Sequence, residues 1–249
     1  MQSIKFQDLK DLFLENRIYL DFNNKPRLTD DDLLFFSDNF EIEPYVCILR
    51  GSCIPSMGAF TYTSTSDVNI KIGRYCSLAN ITFFGARHPL EFISTTPFNH
   101  TQHVNFFRQP YLDRNISFNN KMYRGQGGGN GIVIGNDVWV AQNVTMKYGI
   151  NIGHGAVIAA NTLLTKDVPP YAIIGGVPGR VIKYRFDMDI VNKLLDISWW
   201  NYHIADLNGL PWHDPIDFIL KFEDRVKYYG LTKYEPKKLL LKDLLNYKE

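Results

Sequence analysis

Residues 134–169 read IGNDVW, VAQNVT, MKYGIN, IGHGAV, IAANTL and LTKDVP, six at a time. Ile134, Val140, Met146, Ile152, Ile158 and Leu164 open the successive sixes. A second column, Val138, Val144, Ile150, Ala156, Thr162 and Val168, follows four residues behind the first. An α-helix repeats near 3.6 residues and an isolated strand alternates every two, so neither accounts for a period of six. A coil with three short flat faces does. Each face turns its corner residue inward, and like side chains stack on like from turn to turn. Hexapeptide repeats of this kind predict a parallel β-helix. Gly135, Ala141, Gly153 and Ala159 follow first-column residues, where small side chains let the chain turn tightly and neighbouring turns approach. A weaker copy, Ile72-Gly73 followed by Leu78-Ala79, lies upstream and then loses register.

The remaining composition narrows the class. At 249 residues the chain is one large domain or a core with two appendages. A formal net charge of +1 gives no reason to expect nucleic acid or an anionic membrane as partner. Cys47, Cys53 and Cys76 are odd in number and lack metal-ligand spacing, which predicts reduced thiols in the cytosol. The start, Met1-Gln2-Ser3-Ile4-Lys5, has no signal-peptide layout, and no segment reaches membrane-spanning length. These features predict a soluble, cytoplasmic protein without membrane insertion.

Three parts are expected along the chain. Residues 1–45 form an amino-terminal flanking segment. Phe6, Leu9, Leu12, Phe13 and Leu14 suggest a short amphipathic helix there, and Thr29 before Asp30, Asp31 and Asp32 suggests a helix start. Residues 46–185 form the all-β core, a coil interrupted by a long insertion at 85–131. Residues 186–249 form a carboxyl-terminal helical segment, in which Ile190, Leu194, Leu195 and Ile197 share a face and 216–229 and 237–247 are again amphipathic. An insertion this long in a stacked coil points to function. It carries His88, His100 and His103 and ends in the glycine run 125–131. That run lacks the Lys-Ser/Thr ending of a P-loop and is not framed by a strand and a helix, so it reads as a hinge returning the chain to the coil. His100 and His103 make a His-x-x-His pair, but no further ligands cluster with them, and no metal is expected.

Two stretches are specific beyond the repeat. Thr165 through Ala172, followed by Gly175-Gly176-Val177-Pro178-Gly179-Arg180-Val181-Ile182-Lys183, resembles the hexapeptide-repeat acyltransferases. Gly85-Ala86-Arg87-His88 with Ser94-Thr95-Thr96-Pro97-Phe98 resembles the catalytic loop of their xenobiotic and sugar acetyltransferase branch. Tyr184-Arg185-Phe186 and Trp199-Trp200 match that branch's carboxyl-terminal segment, and the likeness covers about residues 66–205. Arg87 stands where the branch commonly has Asn. The resemblance implies a left-handed parallel β-helix that uses acetyl-CoA and forms a homotrimer, with active sites between subunits.

The resemblance makes His88 the general base that takes the proton of an acceptor hydroxyl as its oxygen attacks the thioester. An imidazole near pKa 6.5 suits that task, and a positioned base contributes about 10²–10⁴ in rate. Glu91 could orient the ring. The resemblance assigns Thr165, Lys166, Arg180 and Lys183 to the nucleotide and phosphate end of the coenzyme. It assigns backbone near Ala141, Gln142 and Ala160 to the pantetheine arm, where an amide could hold the oxyanion for roughly 10²–10³ in rate. Trp139 would wall the tunnel near the reacting carbon. Lys166, Arg180, Lys183 and Arg185 set four positive charges around one acid, Asp167, each able to offset a phosphate by about 1–4 kcal/mol. The γ-class carbonic anhydrases share the coil but use three histidines on zinc, whereas only His154 lies in the regular coil here.

The expected activity is direct acetyl transfer from acetyl-CoA to a carbohydrate hydroxyl, on a surface polysaccharide or its precursor. No Cys or Ser is arranged as a covalent nucleophile. Phe106, Phe107, Tyr111 and Tyr123 offer aromatic surface for a sugar ring. The alternatives are a chloramphenicol- or streptogramin-type antibiotic O-acetyltransferase, a nucleotide-amino-sugar N-acetyltransferase, and a β-helix scaffold without catalysis.

Overall fold

The computed structural model describes residues 1–21, 27–85, 91–99, 104–119 and 131–247. They form two compact units, residues 1–83 with 131–249, and residues 84–130.

In the first unit the short apolar runs become strands of two to four residues, and the chain visits three sheets in rotation. Ile132–Ile134 joins a six-stranded sheet, Trp139–Val140 an eight-stranded sheet and Val144–Lys147 a three-stranded sheet. Asn151–Ile152, Val157–Ile158 and Leu163–Leu164 then repeat the circuit. Each strand pairs in parallel with the one a full circuit later: Ile134 with Ile152, Val140 with Ile158, Met146 with Leu164, always eighteen residues on. Three sixes therefore make one turn. All twelve residues of the two columns are at most 5% exposed, so the period of six is the core itself. Thr162, the one polar member, donates its hydroxyl to Ala159 O at 2.7 Å.

The tight corners fall where small residues were not expected. Asp137, Asn143, Gly149, Gly155 and Asn161 all have positive φ, six apart, each just before a second-column residue. Gly135 and Gly153 serve close approach instead. A Cβ on Gly135 would meet His154 N at 2.8 Å, and one on Gly153 would meet Pro170 N at 2.5 Å.

Upstream the register is not lost but shortened. Ile42, Met57 and Ile72 pair in sequence, as do Ile48, Thr63 and Leu78, every step fifteen residues. A turn three residues shorter shifts the hexapeptide phase at each circuit, which hides the repeat. Ile72 next pairs with Ile134, also fifteen positions on once the 47 residues of the second unit are left out. Buried Thr61 and Thr65 close the shortened turns, donating to Gly73 O and Ala79 O while accepting from Cys76 N and Ile81 N.

Two expectations about the amino-terminal segment need correction. The sheets begin before residue 46: Ile18–Tyr19 pairs in parallel with Val46–Cys47, and Ile42 with Met57. Residues 29–32 form a turn and not a helix start. Asp32 accepts from the Thr29 amide and hydroxyl, and the chain goes straight into Leu33–Phe36, which pairs antiparallel with Gln2–Lys5. The helix Lys10–Glu15 does form, burying Leu12 and Phe13 while Leu14 faces solvent.

Beyond the coil, helices Met188–Ile197 and Pro215–Tyr228 bury Val191, Leu194, Phe218, Ile219 and Phe222 in a second core around Trp199 and Trp200. Asp214 caps the second helix by accepting from Ile216 N and Asp217 N, with Pro215 fitting the first turn. The 237–247 stretch splits into a strand, Leu239–Leu240, and a helix, Leu241–Asn246. That strand pairs antiparallel with Glu41–Ile42 and closes one sheet end, as Arg180–Tyr184 closes another against Ala172–Gly175. No described helix is long and apolar enough to cross a membrane.

In the second unit, Pro97–Asn99 forms a single 3₁₀ turn and Asn105–Asp113 a helix with Pro110 inside it. Phe106 and Phe107 ring centroids lie 4.0 Å apart, and Tyr111 meets Phe118 edge-on at 5.3 Å. Residues 86–90, 100–103 and 120–130, with His88, Arg87, His100, His103, Tyr123 and most of the glycine run, lie outside the described residues.

Candidate active site

His88 lies outside the described residues, so the site is built from the first unit. Glu91, its suggested orienting partner, is exposed at the start of a described stretch.

Trp139 stands on the outward side of the eight-stranded sheet, 55% exposed. Alternation dictates this, because its neighbours Val138 and Val140 are the inward columns. Across the sheet Trp139 faces Val157, Val157 faces Ile173, and Ile173 faces Lys183. A bulge between Ile173 and Ile174 accommodates Ile182 as the extra residue and keeps Lys183 in that row. At the usual strand spacing, Trp139 and Lys183 are about 14 Å apart on one flat face. An exposed indole at one end and a cation at the other suit a long ligand that is apolar at one tip and anionic at the other.

The expected coenzyme residues are mostly at the surface: Gln142, Ala160, Lys166, Arg180 and Lys183 are exposed, Ala141 and Thr165 half-buried. The Ala141 amide is already engaged, donating to Ile158 O at 2.9 Å. Among the described residues the Gln142 and Ala160 amides have no backbone carbonyl partner, and they sit on stacked corners one turn apart. Asn143 and Asn161 build those corners, both near φ +59°, joined through their side-chain amides at 3.3 Å. Of the four cations, Arg185 is committed elsewhere, pairing with Asp137 at 2.8 Å and donating to Gly155 O. Asp167 accepts from Asn151 N at 2.8 Å. Lys166 and Lys183 make no ion pair among the described residues.

A feature the sequence reading missed borders this face. Tyr45, Phe60 and Tyr75 occupy one corner in three successive turns, each near φ +60°, and Asp137, Gly155 and Tyr171 continue the column. The first three rings contact in series, at 5.4 Å and 4.9 Å. The carboxyl-terminal segment docks along them. Trp199 meets Tyr75 at 4.9 Å, His203 meets Tyr45 and Phe60, and the Tyr75 hydroxyl donates to Tyr202 O at 2.7 Å. The fifteen-residue spacing of those aromatics was the available signal.

His154, the coil histidine, stacks on Trp200 at 4.7 Å, and its Nδ1 accepts from Asn136 N at 2.9 Å. Burial lowers its pKa, which favours the neutral ring that this hydrogen bond needs. No cluster of three His, Cys, Asp or Glu able to hold a metal occurs among the described residues. The three cysteines are free thiols, and burial pushes Cys76 up to about 12. That thiol is inert.

No family model matches the chain. It is 34% identical over 165 residues to a chloramphenicol acetyltransferase of Klebsiella aerogenes, covering 64% of this chain and 73% of that protein. It is 28% identical over 151 residues to an Escherichia coli (strain K12) protein whose name assigns it O-acetyl transfer in lipopolysaccharide biosynthesis, covering 61% of this chain and 60% of that one. Among solved structures, a hexapeptide-repeat acetyltransferase of Vibrio cholerae O1 biovar eltor complexed with acetyl coenzyme A is 26% identical. It covers 59% of this chain and 57% of that chain, at TM-score 0.30.

Proposed function

Because the chain belongs to the hexapeptide-repeat acetyltransferases, in their xenobiotic and sugar O-acetyltransferase branch, we propose that this acyltransferase moves acetyl from acetyl-CoA to a carbohydrate hydroxyl. In this reading the three-faced coil is a left-handed parallel β-helix interrupted by a catalytic loop. Residues 84–130 interrupt the coil in sequence, and 186–249 form a carboxyl-terminal helical segment packed against it. The protein is a cytoplasmic homotrimer whose active sites lie between subunits. The observation that carries the acetyl-transfer reading is the 34% identity along 165 residues, covering 64% of this chain and 73% of that protein.

The chemistry is a single displacement. The His88 imidazole takes the hydroxyl proton as the acceptor oxygen bonds to the thioester carbonyl carbon. The oxyanion is held by an amide, and Gln142 and Ala160 are better placed than Ala141, whose N–H is engaged in the sheet. Collapse breaks the carbon–sulfur bond, and the coenzyme thiolate receives the proton from His88. Trp139 lines the acetyl end, while Thr165, Lys166, Arg180 and Lys183 meet the phosphates and nucleotide. No metal takes part. His88→Ala is expected to lower kcat by about 10²–10⁴ with little change in acetyl-CoA binding. Retained kcat in that variant removes the base assignment. An active monomer in sedimentation removes the intersubunit part.

For the acceptor, a carbohydrate is supported by the likeness to the lipopolysaccharide-directed protein over 61% of the chain. A second reading, acetylation of a chloramphenicol-type antibiotic, is favoured by the higher identity of the Klebsiella aerogenes enzyme. A panel assay separates the two: coenzyme A release with chloramphenicol and none with sugars overturns the carbohydrate choice.

A further inference from the structure

The corner where the carboxyl-terminal segment meets the coil is not fully closed. Asp137, Tyr171, Arg185, Phe186, Trp199 and Trp212 line an open cleft of about 120 Å³. That is room for several waters, or for one edge of a small ring. Tyr171 is only 1% exposed, and its hydroxyl has no hydrogen-bond partner among the described residues. The Trp199 indole stands beside it without completing a hydrogen bond. Burial pushes that phenol up to about 12, so it stays a proton donor. Buried hydroxyls are normally satisfied, and this residue lines the cleft.

The other groups restrict what enters. Among the described residues Asp137 uses only Oδ2 on Arg185, and Arg185 uses only Nη1, leaving an acceptor and further donors on two residues that line the cleft. A second anion there would meet the Asp137 carboxylate, and a cation would meet the guanidinium, which already lies 5.2 Å over Tyr171 and 5.4 Å over Phe186. A neutral molecule that both gives and takes hydrogen bonds fits better. The wall is aromatic: Trp212 is 53% exposed, 5.2 Å from Trp199 and 4.8 Å from Phe218. A flat ring face beside paired donors and acceptors is the chemistry of a hydroxylated ring. Asp137 lies two residues from Trp139, at most about 7 Å along the chain, and Arg185 lies two residues from Lys183.

We propose that this cleft is an accessory carbohydrate subsite. One sugar ring stacks on Trp212 and hydrogen-bonds to the Tyr171 hydroxyl, Asp137 and Arg185, beside the acetyl-transfer face. This rests on the carbohydrate reading of the acceptor and adds that the acceptor spans more than one ring. The test is fluorine NMR of the full-length protein with 5-fluorotryptophan at its four tryptophans. The probes are methyl α-glucopyranoside, methyl β-galactopyranoside and N-acetylglucosamine, with phenol as the apolar control.

A saturable shift of the Trp212 signal with at least one sugar is expected. Its dissociation constant should rise at least ten-fold in Trp212→Ala, followed through the Trp199 signal, and several-fold in Tyr171→Phe, which removes only the hydroxyl. Absence of any sugar shift overturns the proposal; so do equal shifts from phenol, and binding that survives Trp212→Ala. The readout needs no catalysis, so its failure is distinct from the panel assay finding no acetylated sugar.

Discussion

Gly155 sits at φ +69° beneath the Tyr171 ring, where a Cβ would meet Tyr171 Cε1 at 2.5 Å. The close approach leaves no room for a Cβ and the left-handed backbone adds strain, so Gly155→Ala is expected to cost about 1–3 kcal/mol, read from the denaturant midpoint. An unchanged midpoint would show that the corner relaxes easily. His154 gives a pH dependence at the same scale. Its folded pKa lies below the ordinary 6.5 because burial disfavours the charged ring, so the unfolded chain binds the extra proton first. Its contribution is complete above 6.5 and is lost as pH falls below that value. Wild type should therefore lose more stability than His154→Gln between pH 7.5 and 5.5. Equal losses would remove His154 as the cause.

At the element scale a largely buried ion pair joins Thr61 and Thr65 in holding the shortened turns. Glu43, 8% exposed, receives Arg74 at 2.6 and 2.9 Å and also the Ala59 amide at 2.9 Å. It ties the turn containing 41–43 to the turn containing 70–74. Arg74 extends the tie by lying 5.4 Å over Tyr234. Glu43→Ala leaves a desolvated guanidinium and should destabilise by about 3–5 kcal/mol. Arg74→Met in the same chain should recover part of that loss. A cost below about 1 kcal/mol for the single change would mean that water reaches Arg74. The downstream turns are eighteen residues long with asparagine and glycine corners, and Arg185 bridges two of them by bonding to Asp137 and to Gly155 O.

For the whole molecule, the carboxyl-terminal segment covers the corner aromatics and supplies the strand that closes the six-stranded sheet. Removing it would expose Tyr75 and Tyr171 together with an unpaired sheet edge, a combination that favours aggregation. A chain ending at Arg185 is therefore expected to be insoluble or to bind hydrophobic dyes. A soluble truncation as heat-resistant as the full chain would make the segment dispensable for folding.

The columns from Ile134 to Val168 were legible because an inward residue recurs at each face whatever its surroundings, and burial leaves only apolar or self-bonded side chains there. The exposed Trp139 was legible for the complementary reason, that strand alternation sends it outward between buried Val138 and Val140. The upstream turns were not: shortening by three residues erases a period of six, and only strand pairing reveals the step of fifteen. Nor could spacing tell that Arg185 would bond to Asp137, 48 residues away, or that Tyr171 would line a cleft with its hydroxyl unpaired among the described residues. Periodic burial is a local constraint repeated along the chain, so the sequence carries it. Corner columns, ion pairs and clefts arise between turns distant in sequence, so only the tertiary structure decides them.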